Sequence, residues 1–262
     1  MTAAIAGGLL HSGFAASNIL ISEPSAEQRA RLHDVLPGVA LHSDNAMTAS
    51  QVDCVVLATK PQVLAGVCRD LAPAIQSRKP LILSIAAGVR SSAIDNWLGG
   101  DLAVVRVMPN QPAFLGLGIS AIFANDRCSD ADRELAETVM QAVGKVVNVG
   151  AEADIDSVTA ISGSGPAYFY LLIDMLVQTA TGMGLDDTTA RTLAVETAVG
   201  AAALAASSET PMSELIAKVR SPGGTTAAAL DSLEKQDVRA IFSAALTAAK
   251  ERANQLADEA GK

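Results

Sequence analysis

The stretch PLILSIAAGV, residues 80–89, joins an unbroken apolar run to a short loop of small residues. A run of this kind, without polar alternation, is typical of a β-strand that is buried on both faces. DCVVLAT (53–59) and AVVRVM (103–108) repeat the pattern, and stretches with helical periodicity separate the three runs. Strands that alternate with helices predict an α/β fold with a doubly wound parallel sheet.

The alternation extends from residue 18 to about residue 150. NILIS (18–22), GISAIFA (118–124) and KVVNVG (145–150) are further candidate strands. After about residue 152 the candidate strands stop, and every long stretch has a helical pattern. We therefore predict an α/β domain at 1–152 and an all-helical domain at 153–262.

The predicted helices of the second domain are apolar around much of their girth and rich in Ala and Gly. Thr210-Pro211 is a helix start signal, with a capping residue before a proline in the first turn. About 110 residues cannot easily bury so much apolar surface on themselves, so we expect a homodimer or a larger homo-oligomer. A compact monomeric bundle is the alternative.

Composition excludes several classes of function. The formal net charge of −9 and the lack of a basic patch argue against a nucleic-acid partner. The three cysteines, Cys54, Cys68 and Cys128, are too scattered for a disulfide framework or a metal site, and we expect them to be small buried residues. Charged residues interrupt the most apolar stretches, so we expect a soluble protein without a membrane span.

Three loops follow the central predicted strands: ATKPQ (58–62), AAGV (86–89) and MPNQP (108–112). In an open α/β sheet, ligands bind beyond the carboxyl ends of the strands. Small residues and prolines there allow a flat cofactor to approach the backbone. Each loop alone is a weak signal, but together they predict a crevice of nucleotide size.

Two motifs of the second half could bind an anion or a ligand. In VRSPGGTTAAAL (219–230), Gly223 and Gly224 precede two threonines that open a helix, and such an N-terminus can bind a carboxylate or a phosphate. An ordinary capped helix is the alternative. In SGSGPAYFY (162–170), small residues either start a buried helix or let a ligand approach the backbone.

Hydrolytic and metal chemistry are not indicated. The three histidines all lie in the first 42 residues, and no catalytic triad or Cys/His cluster is present in the sequence. A reaction that needs no strong protein base is therefore favoured.

Five of these segments, taken together, resemble pyrroline-5-carboxylate reductase in order and spacing. They are VLATKPQ, SIAAGV, RVMPNQP, ISGSGPAYFY and RSPGGTTAAALDSLE. The resemblance covers residues 1 to about 258 and implies a Rossmann-type domain followed by a helical dimerisation domain. It also implies cytoplasmic reduction of 1-pyrroline-5-carboxylate to L-proline with NADH or NADPH, the last step of proline biosynthesis.

On the substrate side, the resemblance implies that Gly223, Gly224 and Thr225 clamp the substrate carboxylate. It assigns a catalytic role to Thr226, as the hydrogen-bonding partner of the ring nitrogen or the carboxylate. It also points, more weakly, to Glu209 as a substrate contact.

On the cofactor side, the resemblance implies contacts along the dinucleotide and near the nicotinamide. These residues are Glu23, Asn45, Ala58, Thr59, Lys60, Pro61, Ile85, Ala86 and Ala87. A carboxylate at Glu23 suits the two ribose hydroxyls of NADH and repels a 2′-phosphate, which favours NADH. No metal is implied.

The sequence departs from the family pattern at two places. Gln111 stands in MPNQP where a Thr is usual. In the family a strand and a Gly-x-Gly-Asn-Met turn precede the first helix, whereas MTAAIAGGLL (1–10) matches only from that Met onward. The absent strand should lie between NILIS and DCVVLAT at the centre of the sheet. We expect its loss to destabilise or distort the domain and to remove the phosphate-binding loop.

Two other hypotheses remain open at this stage. A β-hydroxyacid-dehydrogenase-like oxidoreductase would need a catalytic Lys on the long helix after the cofactor domain, and residues 165–185 contain none. A non-catalytic dimeric relic of a reductase would stay folded but would bind neither nicotinamide nucleotide.

Overall fold

A computed structural model describes residues 1–260 of the chain. Its strands all lie before residue 150, as the sequence predicts. They are β1 (Leu20–Ser22), β2 (Ala40–His42), β3 (Cys54–Leu57), β4 (Leu81–Ser84), β5 (Val104–Met108), β6 (Gly118–Ala124) and β7 (Gly144–Asn148). Strand β2 was not predicted, because its sequence ALH is short and contains no β-branched residue.

The strands form two sheets. β1 pairs with β2 in parallel, and β3 to β7 form a five-stranded sheet in sequence order. Within that sheet β6 runs antiparallel to β5, which corrects the expectation of a wholly parallel sheet. The connection is a single 3₁₀ turn, Gln111–Leu115, whereas a parallel crossover needs about a dozen residues or more.

The described sheet is interrupted between β1 and β3, where the sequence analysis placed the absent strand. The first helix, α1 (Thr2–His11), has Met1 at its N-cap and no side-chain cap, as its sequence predicts.

Helices follow most strands in the first half and account for nearly all of the second half. The remaining helices are α2 (Ala26–Val35), α3 (Asn45–Ala49), α4 (Pro61–Arg78), α5 (Ser91–Trp97), α6 (Asp130–Gln141), α7 (Asp154–Val158), α8 (Gly165–Gly182), α9 (Asp187–Ala206), α10 (Met212–Val219), α11 (Thr225–Lys235) and α12 (Val238–Ala260). A π-helical turn, Thr159–Gly163, follows α7.

The chain divides into two compact units. Residues 1–164, together with the chain from Ala248 onward, form the cofactor unit, and residues 165–247 form the helical unit. The sequence-based domain boundary at 152/153 stays a prediction; the last described strand ends at Asn148 and α7 begins at Asp154. Each unit is described below by itself.

The core of the cofactor unit lies on both faces of β4. Leu81 and Leu83 belong to one apolar cluster, and Ile82, which points to the opposite face, belongs to another. Their side chains are at most 3% exposed. This two-sided burial explains why the strand reads as a continuous apolar run.

The last turns of α12 complete the cofactor unit. Ala253 and Ala257 are buried, and Leu256 packs against the loop that follows β4. At Gly88, whose φ is +69°, an added Cβ would lie 2.9 Å from the Leu256 Cβ. Only glycine therefore fits this contact without displacing the helix.

The cysteines are free thiols. Cys68 and Cys128 are buried and Cys54 is half-buried, which agrees with the expected structural role. Burial raises the pKa of the Cys54 thiol to about 12 and that of Cys68 to about 11. Both groups are protonated at neutral pH and are poor nucleophiles.

The helical unit exposes many large apolar side chains, among them Phe169, Leu172 and Met175 of α8. The helical run Asp154–Gly182 is apolar and long enough to cross a membrane by length and composition. It carries Asp174 among these apolar residues, and Asp174 accepts a hydrogen bond from Gln178. The surface therefore needs a covering layer that is not provided by this chain alone.

Backbone packing between β6 and β7 yields a stability prediction. Gly144 pairs with Gly118, has a φ of +147°, and would clash with the Gly118 backbone if it carried a Cβ. We expect Gly144→Ala to lower the free energy of unfolding by about 2 kcal/mol or more. Urea denaturation followed by circular dichroism, at one protein concentration, measures the change.

Gly66→Ala is the matched control. Gly66 lies inside α4, is exposed, and has open space where a Cβ would be. Alanine there should raise the free energy of unfolding by up to about 1 kcal/mol. A loss of stability at Gly66, or none at Gly144, would contradict the description of these two backbones.

Candidate active site

The residues that the sequence assigns to the cofactor follow the carboxyl ends of the parallel strands β1, β2, β3 and β4, with Asn45 after β2. Glu23 follows β1, residues 58–61 follow β3, and residues 85–87 follow β4. All of them belong to the cofactor unit. The predicted crevice thus corresponds to the edge where ligands bind in open α/β sheets.

The loop after β1 is held by a set of short hydrogen bonds. Ser22 Oγ donates to Asn45 Oδ1 at 2.7 Å, which ties the start of α3 to the end of β1. Glu23 Oε1 accepts from the Ser25 backbone N–H at 2.9 Å, and Arg29 donates to the Glu23 carbonyl at 2.6 Å. The structure therefore places Glu23, which follows Ser22, and Asn45, which starts α3, at the same end of β1.

The loop after β3 contains an unsatisfied hydroxyl. Thr59 Oγ1 is buried, and no described residue provides it with a hydrogen-bond partner. Lys60 then occupies the N-cap of α4 without a side-chain cap, and Pro61 starts the helix. A buried hydroxyl without a partner costs about 1–3 kcal/mol, which a bound ligand could recover. The loop thus fits a polar cofactor.

A cavity of about 390 Å³ lies beside the ends of β4 and β5. Its wall includes Ile85, Met108, Asn110, Phe114 and Gly163. Ile85 is the predicted nicotinamide-side residue that faces this cavity. Gln111, the departure from the family pattern, also lines it.

Ala86 and Ala87 follow Ile85 in the same loop. Ala86 is buried, at 4% exposure, and its N–H contacts the Ser84 hydroxyl at 3.4 Å. Ala87 is half-buried. Their small side chains allow close approach to the backbone, as the sequence predicts for this loop.

A buried ion cluster is built on β5, and the sequence analysis did not find it. Arg106 is 1% exposed and donates to Asp156 at 3.3 Å and to Glu152 at 3.4 Å. Arg90 Nη1 lies 2.9 Å from the second oxygen of Asp156. Burial lowers the pKa of Arg106, while the two carboxylates oppose that shift. An arginine inside the apolar run AVVRVM was the available signal.

The SPGGTT turn lies in the helical unit and opens α11. Gly223 has a φ of +73°, and Gly224 is the N-cap of an 11-residue helix that has no side-chain cap. Thr226 is half-buried and Thr225 is exposed. The first-turn N–H groups are therefore not occupied by a capping side chain, contrary to the alternative of a Thr-capped helix.

An ion pair braces this turn. Arg220 Nη2 lies 2.6 Å from Asp231 Oδ1, which joins the residue before the turn to the middle of α11. An added Cβ at Gly224 would clash with the Ser221 hydroxyl. Packing therefore favours glycine at 224, while its φ of −80° is open to any residue and only Gly223 has a positive φ.

Glu209, the remaining predicted substrate contact, is exposed on the connection between α9 and α10. Helix α10 starts at Met212 with Pro211 at its N-cap, one position earlier in the helix than the predicted first-turn proline. Glu209 and the SPGGTT turn both belong to the helical unit, whereas the cofactor-side residues belong to the cofactor unit.

Comparisons with known proteins identify the family. The model of pyrroline-5-carboxylate reductase dimerisation matches residues 152–256, and that of NADP oxidoreductase, coenzyme F420-dependent, matches residues 1–88. A pyrroline-5-carboxylate reductase of Pseudomonas aeruginosa is 42% identical over 262 residues, which are 100% of this chain and 95% of the relative. The chain belongs to the pyrroline-5-carboxylate reductase family.

Solved structures agree with this assignment. The chain is similar to a pyrroline-5-carboxylate reductase from Coxiella burnetii, with a TM-score of 0.92, 37% identity, and coverage of 97% of this chain and 94% of the other. It is also similar to the Plasmodium falciparum enzyme with NADP bound, with a TM-score of 0.85, 28% identity, and coverage of 97% and 93%. The Rossmann-type fold followed by a helical dimerisation domain is confirmed.

The family assignment also decides between the functional hypotheses. The chain is an NAD(P)H-dependent oxidoreductase of proline biosynthesis, and this is favoured over the β-hydroxyacid-dehydrogenase and relic hypotheses. The match to a dimerisation domain over residues 152–256 also accounts for the exposed apolar helices as a subunit interface.

Removing the unsatisfied Thr59 hydroxyl should stabilise the unliganded protein and weaken its binding of NADH. Thr59→Val keeps the shape of the side chain and removes the oxygen, so the unliganded protein should gain about 1 kcal/mol of stability. If the hydroxyl binds the cofactor, the Kd of NADH should rise by about ten-fold. Thermal unfolding without ligand and fluorescence titration with NADH measure the two effects.

Thr138→Val is a matched control for this change. Its hydroxyl donates to the Glu134 carbonyl within α6, on the exposed side of the cofactor unit. The Kd of NADH should not change there. Unchanged NADH binding by Thr59→Val would exclude a cofactor contact at this hydroxyl.

Proposed function

We propose that the loops after β1, β3 and β4 hold NADH or NADPH, and that the SPGGTT turn holds the carboxylate of 1-pyrroline-5-carboxylate. The proposal on the substrate carboxylate is supported by the N-terminus of α11, which is uncapped and preceded by two glycines. The proposal on the cofactor is supported by the buried Thr59 hydroxyl, which has no hydrogen-bond partner and lies at the sheet edge where dinucleotides bind.

The chemistry of the reaction suits such a site. When bound, the reduced nicotinamide supplies a hydride to the carbon of the C=N bond, and the already protonated ring nitrogen becomes the amine of proline. An iminium carbon needs no strong protein base, so the protein acts mainly by positioning the reactants.

The SPGGTT turn has the chemistry to bind a carboxylate. The Gly224 N–H donates to the Ser221 carbonyl at 3.0 Å, so the anion would bind the uncapped first-turn N–H groups of α11, where the positive end of the helix dipole also favours it. Thr226, one position into the helix, would then hydrogen-bond the substrate as the catalytic residue. Its hydroxyl oxygen would accept from the protonated ring N–H, or its O–H would donate to the carboxylate. Glu209 is the weaker candidate, since it is exposed on the connection before α10, where a solvated acid is the ordinary alternative.

On the cofactor side, Asn45, Ala58, Thr59, Lys60 and Pro61 would follow the dinucleotide from the adenosine towards its phosphates. Ile85, Ala86 and Ala87 would lie near the nicotinamide. These assignments follow the family resemblance. The loops after β3 and β4 support them, because these two strands are neighbours in the five-stranded sheet.

Glu23 is proposed to favour NADH over NADPH. Its backbone N–H is bonded to His42 and its side chain to the Ser25 N–H, so the carboxylate is held at the end of β1. A 2′-phosphate at this position would meet a fixed negative charge. The structure of the Plasmodium falciparum relative contains NADP, and this observation concerns the cofactor of that protein only.

We also infer that the enzyme is a cytoplasmic homodimer or larger homo-oligomer, without a nucleic-acid or membrane partner. The net charge of −9 disfavours nucleic acid. The apolar run Asp154–Gly182 overlaps the matched dimerisation domain, so a second subunit is the favoured covering of its exposed side chains.

The first experiment is oxidation of NADH and of NADPH by the purified 262-residue chain in the presence of 1-pyrroline-5-carboxylate. Turnover, faster with NADH, is the expected result. A folded dimer that binds neither nucleotide would instead support the relic hypothesis. Turnover that is faster with NADPH would contradict the role proposed for Glu23 while leaving the reaction intact.

The charge of Glu23 can be tested directly. Glu23→Gln keeps a side-chain oxygen for the Ser25 N–H and removes the negative charge. We expect the ratio of kcat/KM for NADPH to that for NADH to rise by about ten-fold, because a repulsion close to the 2′-phosphate is removed. Steady-state kinetics with both nucleotides measure this ratio.

Glu27→Gln serves as the control, since Glu27 lies on α2, is exposed, and pairs with Arg31 at 2.7 Å. It removes the same charge four residues further along the chain. An equal change in the ratio for both variants would show a general charge effect and would exclude a specific role for Glu23.

Thr226 can be tested through substrate kinetics. Thr226→Val removes the hydroxyl at nearly constant volume, and kcat/KM for 1-pyrroline-5-carboxylate should fall by about 10²-fold if it hydrogen-bonds the reacting region. The Kd of NADH should stay the same. Activity within two-fold of the parent enzyme would remove Thr226 from the catalytic assignment.

A further inference from the structure

The segment from α7 to the π-helical turn is tied to β5 at two places. At the middle of β5, Arg106 binds Asp156 of α7, and both side chains are at most 1% exposed. At the end of β5, Asn110 Nδ2 donates to the Ser162 carbonyl at 3.1 Å. These contacts join a central strand to a helical segment that lies more than forty residues later in the chain.

Asn110 links three parts of the cofactor unit through one side chain. Its Nδ2 binds the π-helical turn, and its Oδ1 accepts the Ile119 N–H of β6 at 3.0 Å. The residue itself is 9% exposed. An amide with both ends bonded in this way has only one low-energy orientation, so it fixes the distance between the turn and the sheet.

The turn that Asn110 holds forms part of the cavity wall. Gly163, the residue after Ser162, lines the cavity together with Ile85 and Met108. A Cβ at Gly163 would clash with the Met108 methyl group, so the turn packs directly against the side chain at the end of β5. π-Helical turns are uncommon and often occur at functional sites.

We propose that Asn110 is a positioning residue for the reductase reaction: it holds the Ser162–Gly163 turn against the end of β5, and this turn limits where the nicotinamide ring can lie. The inference rests on the proposed cofactor site, in which Ile85 lies near the nicotinamide. Loss of the hydrogen bond from Asn110 to Ser162 lets the turn move away from β5. The nicotinamide ring then gains freedom, and hydride transfer slows. The adenosine half of the cofactor, at the loop after β1, is unaffected.

The chain contains a matched control for this residue. Asn125 also donates its Nδ2 to a backbone carbonyl, that of Leu102 at 3.0 Å, and accepts a backbone N–H, that of Val104 at 3.2 Å. It lies at the amino end of β5, whereas Asn110 lies at the carboxyl end. Asn110→Ala and Asn125→Ala therefore remove the same two kinds of bond at opposite ends of one strand. Asn125 Oδ1 also accepts from the Arg127 N–H and from Cys128 Sγ, so its loss removes at least as many bonds.

The experiment compares three properties of these two variants with the parent enzyme: kcat, the fluorescence of bound NADH, and the Kd of ADP-ribose, which lacks the nicotinamide. For Asn110→Ala, kcat should fall by about ten-fold or more, because a small misplacement of reacting groups has a large cost. Its bound NADH should fluoresce more like free NADH, while the Kd of ADP-ribose stays within two-fold. Asn125→Ala should change neither kcat nor the fluorescence.

The outcomes separate the two proposals. Equal kcat and equal fluorescence in the two variants would overturn the role of Asn110. Absence of NADH binding in the parent enzyme would overturn the cofactor site itself. If Asn110→Ala does not fold, Asn110→Asp answers the same question, because it keeps the bond from Ile119 and removes only the donor to Ser162; Asn125→Asp is then its control.

Discussion

A strand that is buried on both faces can offer a ligand only its ends, and this constraint organises the cofactor unit. β4 and most of β5 lie between two apolar clusters, so no side chain in their middle can reach solvent. Polar and small residues therefore concentrate in the loops after the strands. Arg106 is the exception, as a charged residue in the middle of a strand. It is compatible with burial because carboxylates from α7 and from the loop before α7 accept its hydrogen bonds.

The features that could be predicted from the sequence are those that depend on local pattern. Apolar runs located six of the seven described strands, and small residues after them located the loops. The short strand β2 and the antiparallel direction of β6 could not be predicted, because each depends on a neighbouring strand and not on a local periodicity.

The contacts between residues of the site also could not be predicted from the sequence pattern. Asn110 was visible within MPNQP, but its partner Ser162 is distant in the chain, and one sequence does not show which residues meet. The same holds for Arg106 and Asp156. For the SPGGTT turn, the sequence showed the glycines and threonines, whereas the uncapped state of α11 became visible only from the N-cap geometry.

The position of helix α12 at the end of the described chain determines when the cofactor unit can complete its packing. Its last turns supply Ala253 and Ala257 to the core of the cofactor unit, yet they are translated only after the whole of residues 165–247. While the chain is still on the ribosome, the loop at Gly88 lacks the helix that packs against it. The cofactor unit can therefore complete its packing only after the segment of the helical unit has been synthesised.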